Sequence, residues 1–508
     1  MRQRFLHIQE RFLTHIWSRQ YLRLRELRTV DGRSVEVLEP GRFNTGAGAD
    51  FLNAKVRIGA TVYAGDVEIH RTPAEWFAHK HQNDPRYNTV ILHVVLEVGK
   101  EFKPTLSQSG REVPLLVLEP FLSESIRELW HTTVQDEKNA RSSRLPCSGK
   151  NSRLSGTFKL EWVEKLARER LELKIRRFDD RLRELAYHVQ LVAEPEEEYG
   201  EEYQEIAPDE LPPPPAEPTQ KDLRDRSLWE QVLFEGICDG LGYSKNREPF
   251  VALAQTATLA RLRQITEEDV AGEPFSTEAI LFGVSGLLPS DKNDDEYIRR
   301  LNRLWSRYRA VLKIAPMESS AWVFFPLRPN NFPTVRIAAA AWCAEMLSQR
   351  EGFSAIIQLL KSNASVPRKI TSIEKLLTPP AHPYWNRHHS FTQISTSPVK
   401  PLGASRIRDI LVNTIIPLAL LYARIFKDRR VREGTLEMYG KFPTLEENSV
   451  TRRMEREVFG EKAPLSTAAR QQGALHLYKF YCSGQWCGEC AIGKRLGLSS
   501  VTSSDPLS

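Results

Sequence analysis

Residues 44–97 read NTGAGADFLNAKVRIGATVYAGDVEIHRTPAEWFAHKHQNDPRYNTVILHVVLE, and the periodicity of this stretch decides the fold. Phe51 to Ile58 alternates, with Leu52, Ala54, Val56 and Ile58 on one face and Asn53, Lys55 and Arg57 on the other, which is the pattern of a half-buried strand. Gly59-Ala60 turns the chain. Thr61 to His70 alternates again, so Asp66, Glu68 and His70 share a face while Val67 and Ile69 oppose them. Thr72-Pro73 predicts a helix start, a capping hydroxyl followed by proline at the first helical position. That helix carries Glu75, Trp76, His79, Lys80 and His81 and stops at Asn83-Asp84-Pro85. On it His79 and His81 stand two apart and so fall on different faces. Thr89 to Leu96 is almost wholly apolar, interrupted by His93, and predicts a strand buried on both faces.

Working outward, residues 2–28 are helix-compatible, with Phe5, Ile8, Phe12, Ile16 and Leu22 on one side. Asp31-Gly32 marks a turn and Ser34 to Leu38 a short strand. The predicted order is helix, strand, strand, strand, helix, strand, closed by a further strand over 113–118. The fold class is therefore α+β: a mixed-sheet domain at 1–125, a helical connector at 126–193, an acidic, proline-rich insert at 194–220 read as disordered, and an all-helical domain at 221–472. A cysteine-containing motif at 473–497 and a tail at 498–508 complete the chain.

This order, with its acid placement, resembles the PD-(D/E)XK nuclease-like fold. Ala49-Asp50 is similar to that fold's Pro-Asp, and Glu68-Ile69-His70 to its Glu-x-Lys, with His70 where lysine stands. The resemblance implies a hydrolytic site with Asp50 and Glu68 as oxygen ligands for Mg²⁺ or Mn²⁺, the kind of ion that polarises a phosphoryl group and acidifies water. His70, Lys55 or Lys80 takes the place of the missing lysine, and an imidazole makes the site more hospitable to Mn²⁺ or Zn²⁺. The bland alternative is that Asp50 caps a turn and Glu68 and His70 lie on a solvated strand face.

Over nearly its full length the chain also resembles the bacterial domain of unknown function 2851 family. The resemblance is carried by Asn44-Thr45-Gly46 to Phe51, Gly65 to His70, Trp76, His79-Lys80-His81, Asp84 and Leu92 to Val95. It continues through Gly240 to Asn246, Leu281-Phe282-Gly283, Arg328 to Pro333 with Arg336, and Cys482 to Gly493. It implies membership and no activity.

With 508 residues, 41% hydrophobic content and a net charge of +6, the chain has ample core for two or three domains and a mild basicity compatible with DNA or RNA. No run reaches the ~18 apolar residues of a membrane span, and a cytoplasmic protein is expected. Six cysteines fit reduced thiols or metal ligands better than a secreted disulfide framework.

Phe158 to Val192 predicts a long charged helix with Trp162, Leu166, Ile175, Phe178, Leu182 and Leu185 as its apolar stripe. From 221 to 472 the spacing is helical throughout. Arg328 and Arg336 flank a proline-rich turn at a helix start, an arrangement able either to hold a phosphate or to brace packed helices. Cys482, Cys487 and Cys490 suit Zn²⁺ if His476 is the fourth ligand, or an iron-sulfur cluster if Cys147 completes it.

Two functions follow as expectations. One is a metal-dependent phosphodiesterase acting on nucleic acid through Asp50, Glu68, His70 and Lys80. The other is a non-catalytic nucleic-acid-binding or scaffold protein on the same fold. A closed pocket in place of a groove indicates a small phosphorylated substrate.

Overall fold

The computed structural model describes residues 10–44, 48–79, 81–98, 103–126, 128–129, 144–193, 219, 221–243, 245–268, 273–290, 295–325, 327–461 and 463–499. Lys80, nearly all of the 194–220 insert and most of the 498–508 tail lie outside these residues. Among the described residues the chain forms two compact units, one running to Asn151 and resuming at Phe480, the other spanning Ser152–Lys479. The class is α+β, a mixed sheet with helices followed by a large helical region.

In the first unit α1 (Glu10–Arg19) is followed by β1 (Val35–Glu39), β2 (Arg42–Phe43), β3 (Phe51–Ile58), β4 (Thr61–His70), α2 (Ala74–Ala78), β5 (Val90–Val95) and β6 (Leu115–Val117). The sheet order is β1-β3-β4-β5-β6, with β2 also paired to β3. β1, β3 and β4 run antiparallel in turn, whereas β4, β5 and β6 are parallel. β5 lies between two strands and every one of its residues is buried, as its unbroken apolar run predicts. Phe12, Leu13, Ile16 and Trp17 of α1 pack on one sheet face against Val56, Val67, Ile69, Leu92 and Val94. The opposite face, where Glu68, His70 and His93 project, is covered by Trp76 of α2 and by Tyr87.

Three expectations need correction here. α1 ends at Arg19, well short of residue 28, because Gln20 adopts a left-handed φ of 53° and Leu22 bridges to Leu122. Strict alternation in β3 fails at a bulge between Phe51 and Ala54, where Asn53 takes φ 57° and donates its amide to Asp66 Oδ1 at 3.0 Å. Phe51, not Leu52, therefore enters the core. Asp66 consequently leaves the predicted acid row: its second carboxylate oxygen accepts from Thr89 Oγ1 at 2.6 Å, pinning β3 to the start of β5. The third correction is the early end of α2, whose C-cap is His79. A new turn opens at His81, and Asp84 caps another over Pro85–Tyr87.

Gly65 marks the tightest approach in this sheet. A Cβ there would lie 2.5 Å from both Ile91 Cγ2 and the Thr89 carbonyl. Only glycine lets β4 and β5 come this close beside the site.

The second unit is built around the helix Gly156–Ala193, whose buried stripe is Val163, Leu166, Leu171, Ile175, Phe178, Leu182 and Ala186, with Trp162 only half-buried. Its charged residues are largely paired: Arg181 grips the buried Glu235 with two hydrogen bonds of 2.8 and 2.9 Å, and Arg424 grips Glu172 in the same way. The helical spacing after residue 247 is broken into two helices, Arg247–Thr256 and Leu259–Glu268, because Gln231 Oε1 accepts the Leu259 amide and caps the second. Further on, the helices Ala404–Ile410 and Ile416–Ile425 are joined by a π-helical turn at Leu411–Ile415. The region is also not helical throughout, since His388–Ser390 and Gln393–Ile394 form a small hairpin. Among the described residues no helix is long and apolar enough to cross a membrane.

Candidate metal centre

β4 supplies Glu68 and His70 as second neighbours on the face away from α1, and β5 supplies His93 in register with Glu68. The early end of α2 does the rest. His79 and His81 are not on one helix, so helical spacing does not keep them apart, and both rings turn toward His70, with centroids 5.1 and 5.2 Å from it. Sequence periodicity missed this convergence. The signals in the chain were the His-x-His pair itself and a histidine interrupting the most apolar strand.

The heteroatoms meet at short range. Glu68 Oε1 lies 3.4 Å from His70 Nε2 and 3.2 Å from His81 Nε2, and His70 Nε2 lies 3.2 Å from His79 Nδ1. Among the described residues one group of three or more ligating side chains has all its ligand atoms within 4.8 Å of one another, and it is His70, His79 and His81. His81 Nε2 is buried and, despite its distance from Glu68, makes no hydrogen bond. Behind the cluster His70 Nδ1 is 2.9 Å from His93 Nε2, and His93 Nδ1 is 2.9 Å from Thr105 Oγ1. Trp76 walls the site, its ring 5.0 Å from His93 and 5.3 Å from His81, held by an indole hydrogen bond to the Leu106 carbonyl. Tyr87 stacks on His81 at 3.8 Å.

Burial sets the protonation. Glu68, His70, His81 and His93 are 5, 1, 7 and 0% exposed, whereas His79 faces solvent. Desolvation first, and then the neighbouring imidazoles, hold His70 far below the usual histidine range. Burial likewise lowers His81 to about 4 and His93 to about 3. At neutral pH these are neutral imidazoles, the form that ligates metals.

Of the other anticipated residues, Asp50 acts on Glu68. Its amide donates to Glu68 Oε2 at 2.9 Å, and its Oδ2 accepts from the Ile69 amide at 3.0 Å, so it lies outside the histidine group and orients the Glu68 carboxylate. Lys55 is exposed and registers with Ala64, four residues along β4 from Glu68, or about 13 Å away. Lys80 is outside the described residues. In the second unit Arg328 is exposed, whereas Arg336 is buried and bonded to the Pro401 carbonyl, Tyr243 and Asn331.

Cys487 and Cys490 are buried near each other, and burial followed by the neighbouring thiol pushes Cys487 up. Cys482 is half-buried. None of the six cysteines is in a disulfide. His476 is buried in the second unit, its Nε2 3.7 Å from Glu169.

No curated protein and no solved structure matches the chain. A family model described as protein of unknown function (DUF2851) matches residues 10–193 and 219–449, and the chain belongs to that family.

Proposed function

We propose that the first unit is a metal-dependent phosphodiesterase acting on nucleic acid, with the metal held by Glu68, His70, His79 and His81. The observation that carries this reading is the mutually close trio His70, His79 and His81, with His70 Nε2 3.2 Å from His79 Nδ1 and Glu68 Oε1 3.4 and 3.2 Å from the Nε2 atoms of His70 and His81. Metal–ligand bonds of about 2.0–2.1 Å in a tetrahedron place neighbouring ligand atoms about 3.3 Å apart. The buried His81 Nε2 without a hydrogen bond adds to it, because such an atom is costly unless something occupies its lone pair. Three imidazoles and one carboxylate favour Zn²⁺ or Mn²⁺ over Mg²⁺.

A bound ion of this kind supplies Lewis acidity and a water acidified toward neutral pH. The chain's own residues set the ligands. Asp50 holds Glu68 Oε2 through its amide, and Oε1 is the oxygen nearest His70 and His81. His93 accepts from His70 Nδ1–H and passes the polarity on to Thr105, which leaves the lone pair of His70 Nε2 facing His79 and His81. Substrate reaches the site over His79, the exposed member of the set. Support for a phosphodiester comes from the order α1, four strands, α2, β5, with Asp50 just before β3 and Glu68-x-His70 on β4, which resembles the nuclease-like fold's Pro-Asp and Glu-x-Lys except for histidine in place of lysine.

A second reading, a structural metal centre in a non-catalytic nucleic-acid-binding protein, is favoured by the burial of Glu68, His70 and His81. The test is elemental analysis of the full chain purified with Zn²⁺ or Mn²⁺ present, followed by cleavage assays on single- and double-stranded DNA and RNA. One equivalent of metal, lost in Glu68→Gln and His81→Gln, together with cleavage lost in the same variants, supports the enzyme. Retained metal without cleavage supports the structural centre. A wild-type chain that binds neither ion sinks both.

A further inference from the structure

The second unit holds a buried arginine that no acid neutralises. Arg336, in the first turn of the 17-residue helix Pro333–Gln349, is 5% exposed. Its Nη1 donates to the Pro401 carbonyl at 2.7 Å, and its Nη2 to Asn331 Oδ1 at 2.7 Å and the Tyr243 hydroxyl at 3.0 Å. All three acceptors are uncharged. Its Nε–H is buried and has no acceptor. Burial lowers its pKa, and the charge of Arg406 adds to that effect.

Arg406 is the second half of the arrangement. Its guanidinium carbon lies 3.4 Å from the centroid of the Tyr243 ring, and that of Arg336 lies 5.4 Å from the same ring. Arg406 Nη1 is 3.1 Å from Asp409 Oδ2, while its Nε–H, too, is buried without an acceptor. Tyr243 is held at a left-handed φ of 52°, a conformation a bulky residue keeps only when its surroundings enforce it. Two guanidiniums, one carboxylate and two unused N–H donors thus gather around one tyrosine at the positive end of a helix.

We propose that Arg336, Arg406 and the Tyr243 hydroxyl form a binding site for a small phosphate-type oxyanion. A buried cation without a counter-ion is strongly unfavourable, and the Nε–H donors left over on Arg336 and Arg406 are what an oxyanion would accept from. The Arg406 side chain is 19% exposed and Arg336 is nearly inaccessible, so the ligand is a small anion and not a polymer backbone. This site is independent of the metal centre in the first unit.

The experiment is thermal melting of the full chain, with excess chelator so that the metal centre does not contribute. Inorganic phosphate and a nucleoside monophosphate are each titrated against sodium chloride at matched ionic strength. The expected result is a saturable rise of about 2–5 °C with a phosphate-bearing ligand and none with chloride. A nucleotide acting at lower concentration than free phosphate identifies an ester as the source, and a response to free phosphate alone identifies the inorganic ion. Arg406→Gln removes the rise, and Arg336→Lys, which keeps the charge but loses the Nε–H donor, diminishes it. If Arg336→Lys does not fold, Arg406→Gln decides. A wild-type chain indifferent to both phosphates, or an Arg406→Gln chain with the full response, overturns the proposal.

Discussion

Replacing His93 with phenylalanine isolates the part of the proposed metal centre that would touch no metal. The ring shape is kept, so packing against Trp76 at 5.0 Å survives, but two hydrogen bonds of 2.9 Å disappear. His70 Nδ1 is left in a site of 1% exposure and Thr105 Oγ1 in one of 2%, and each stranded group costs about 1–3 kcal/mol. The metal-free protein therefore loses stability. With the metal the effect is of another kind: His70 is no longer held in the tautomer that presents Nε2, and removing such a partner weakens metal affinity about 10–100-fold, or ~1.4–2.7 kcal/mol. Competition of the purified chain against a chromophoric zinc chelator measures that affinity, and urea melts of the chelated protein measure stability separately. Thr105→Val, which cuts the relay one step later, gives a smaller loss in both. Metal affinity equal to wild type in His93→Phe, alongside abolition in His70→Gln, would refute the relay and leave His93 as a packed polar residue.

The buried histidines give the metal-free protein a pH dependence. His81 and His93 titrate near 6.5 when unfolded and near 4 and 3 when folded, so the unfolded chain binds more protons between those values and stability falls as pH drops through that window, by about 1.4 kcal/mol per pH unit for each; a chelated chain with flat stability from pH 7 to 5 contradicts this. Gly65→Ala forces a methyl to within 2.5 Å of Ile91 and the Thr89 carbonyl and is expected to cost about 1–3 kcal/mol in chemical denaturation, whereas a neutral result means that β4 and β5 can separate. Arg181→Met leaves the charge of Glu235, which is 6% exposed, with the Gln231 and Gln255 amides as its remaining donors among the described residues, and is expected to cost about 3–5 kcal/mol, with part of the loss recovered in the Arg181→Met, Glu235→Leu pair; no recovery shows that the ion pair is not the source.

The strands beside the site were legible because the face each side chain takes follows local period: in β4 Val67 and Ile69 join the core under α1 while Glu68 and His70 take the opposite face, all four buried, and the unbroken run of β5 is buried throughout. The bulge in β3 was not, because it is fixed by Asp66, whose carboxylate reaches Asn53 on one side and Thr89 on the other, residues 13 and 23 positions away in sequence. The helix start at Thr72-Pro73 was legible as chemistry and partly wrong as mechanism. Thr72 does not cap it, and Glu75 reaches back to the Arg71 amide at 2.9 Å instead. Its end was hidden, since His79 and Ala78 carry no stop signal and the turn at His81 is set by Trp76 and Tyr87 packing around that ring. Placing His79 and His81 on one helix therefore separated two side chains that the structure joins. The break at Ala257 has the same character, a cap supplied from Gln231 on another helix.

On the proposed nuclease-like reading, where that fold carries lysine, His70 is better understood as one member of a coupled set than as the loss of a catalytic group. An ammonium there would be 1% exposed among three imidazoles, with Glu68 alone to compensate it, and it offers His93 Nε2 a donor but leaves His79 and His81 without a shared centre. A neutral imidazole meets both demands, because its two nitrogens divide the work: Nδ1 looks back to His93 and Thr105, and Nε2 looks forward to Glu68, His79 and His81. Burial keeps His70, His81 and His93 neutral, and the one carboxylate among the candidate ligands is aimed by the Asp50 amide. A change of residue type at 70 therefore makes physical sense only together with histidines at 79, 81 and 93, and the donor set then favours a nitrogen-loving ion over one that demands oxygen. Asp50, which in an oxygen-ligand site would bind the ion, here serves by holding Glu68 in place.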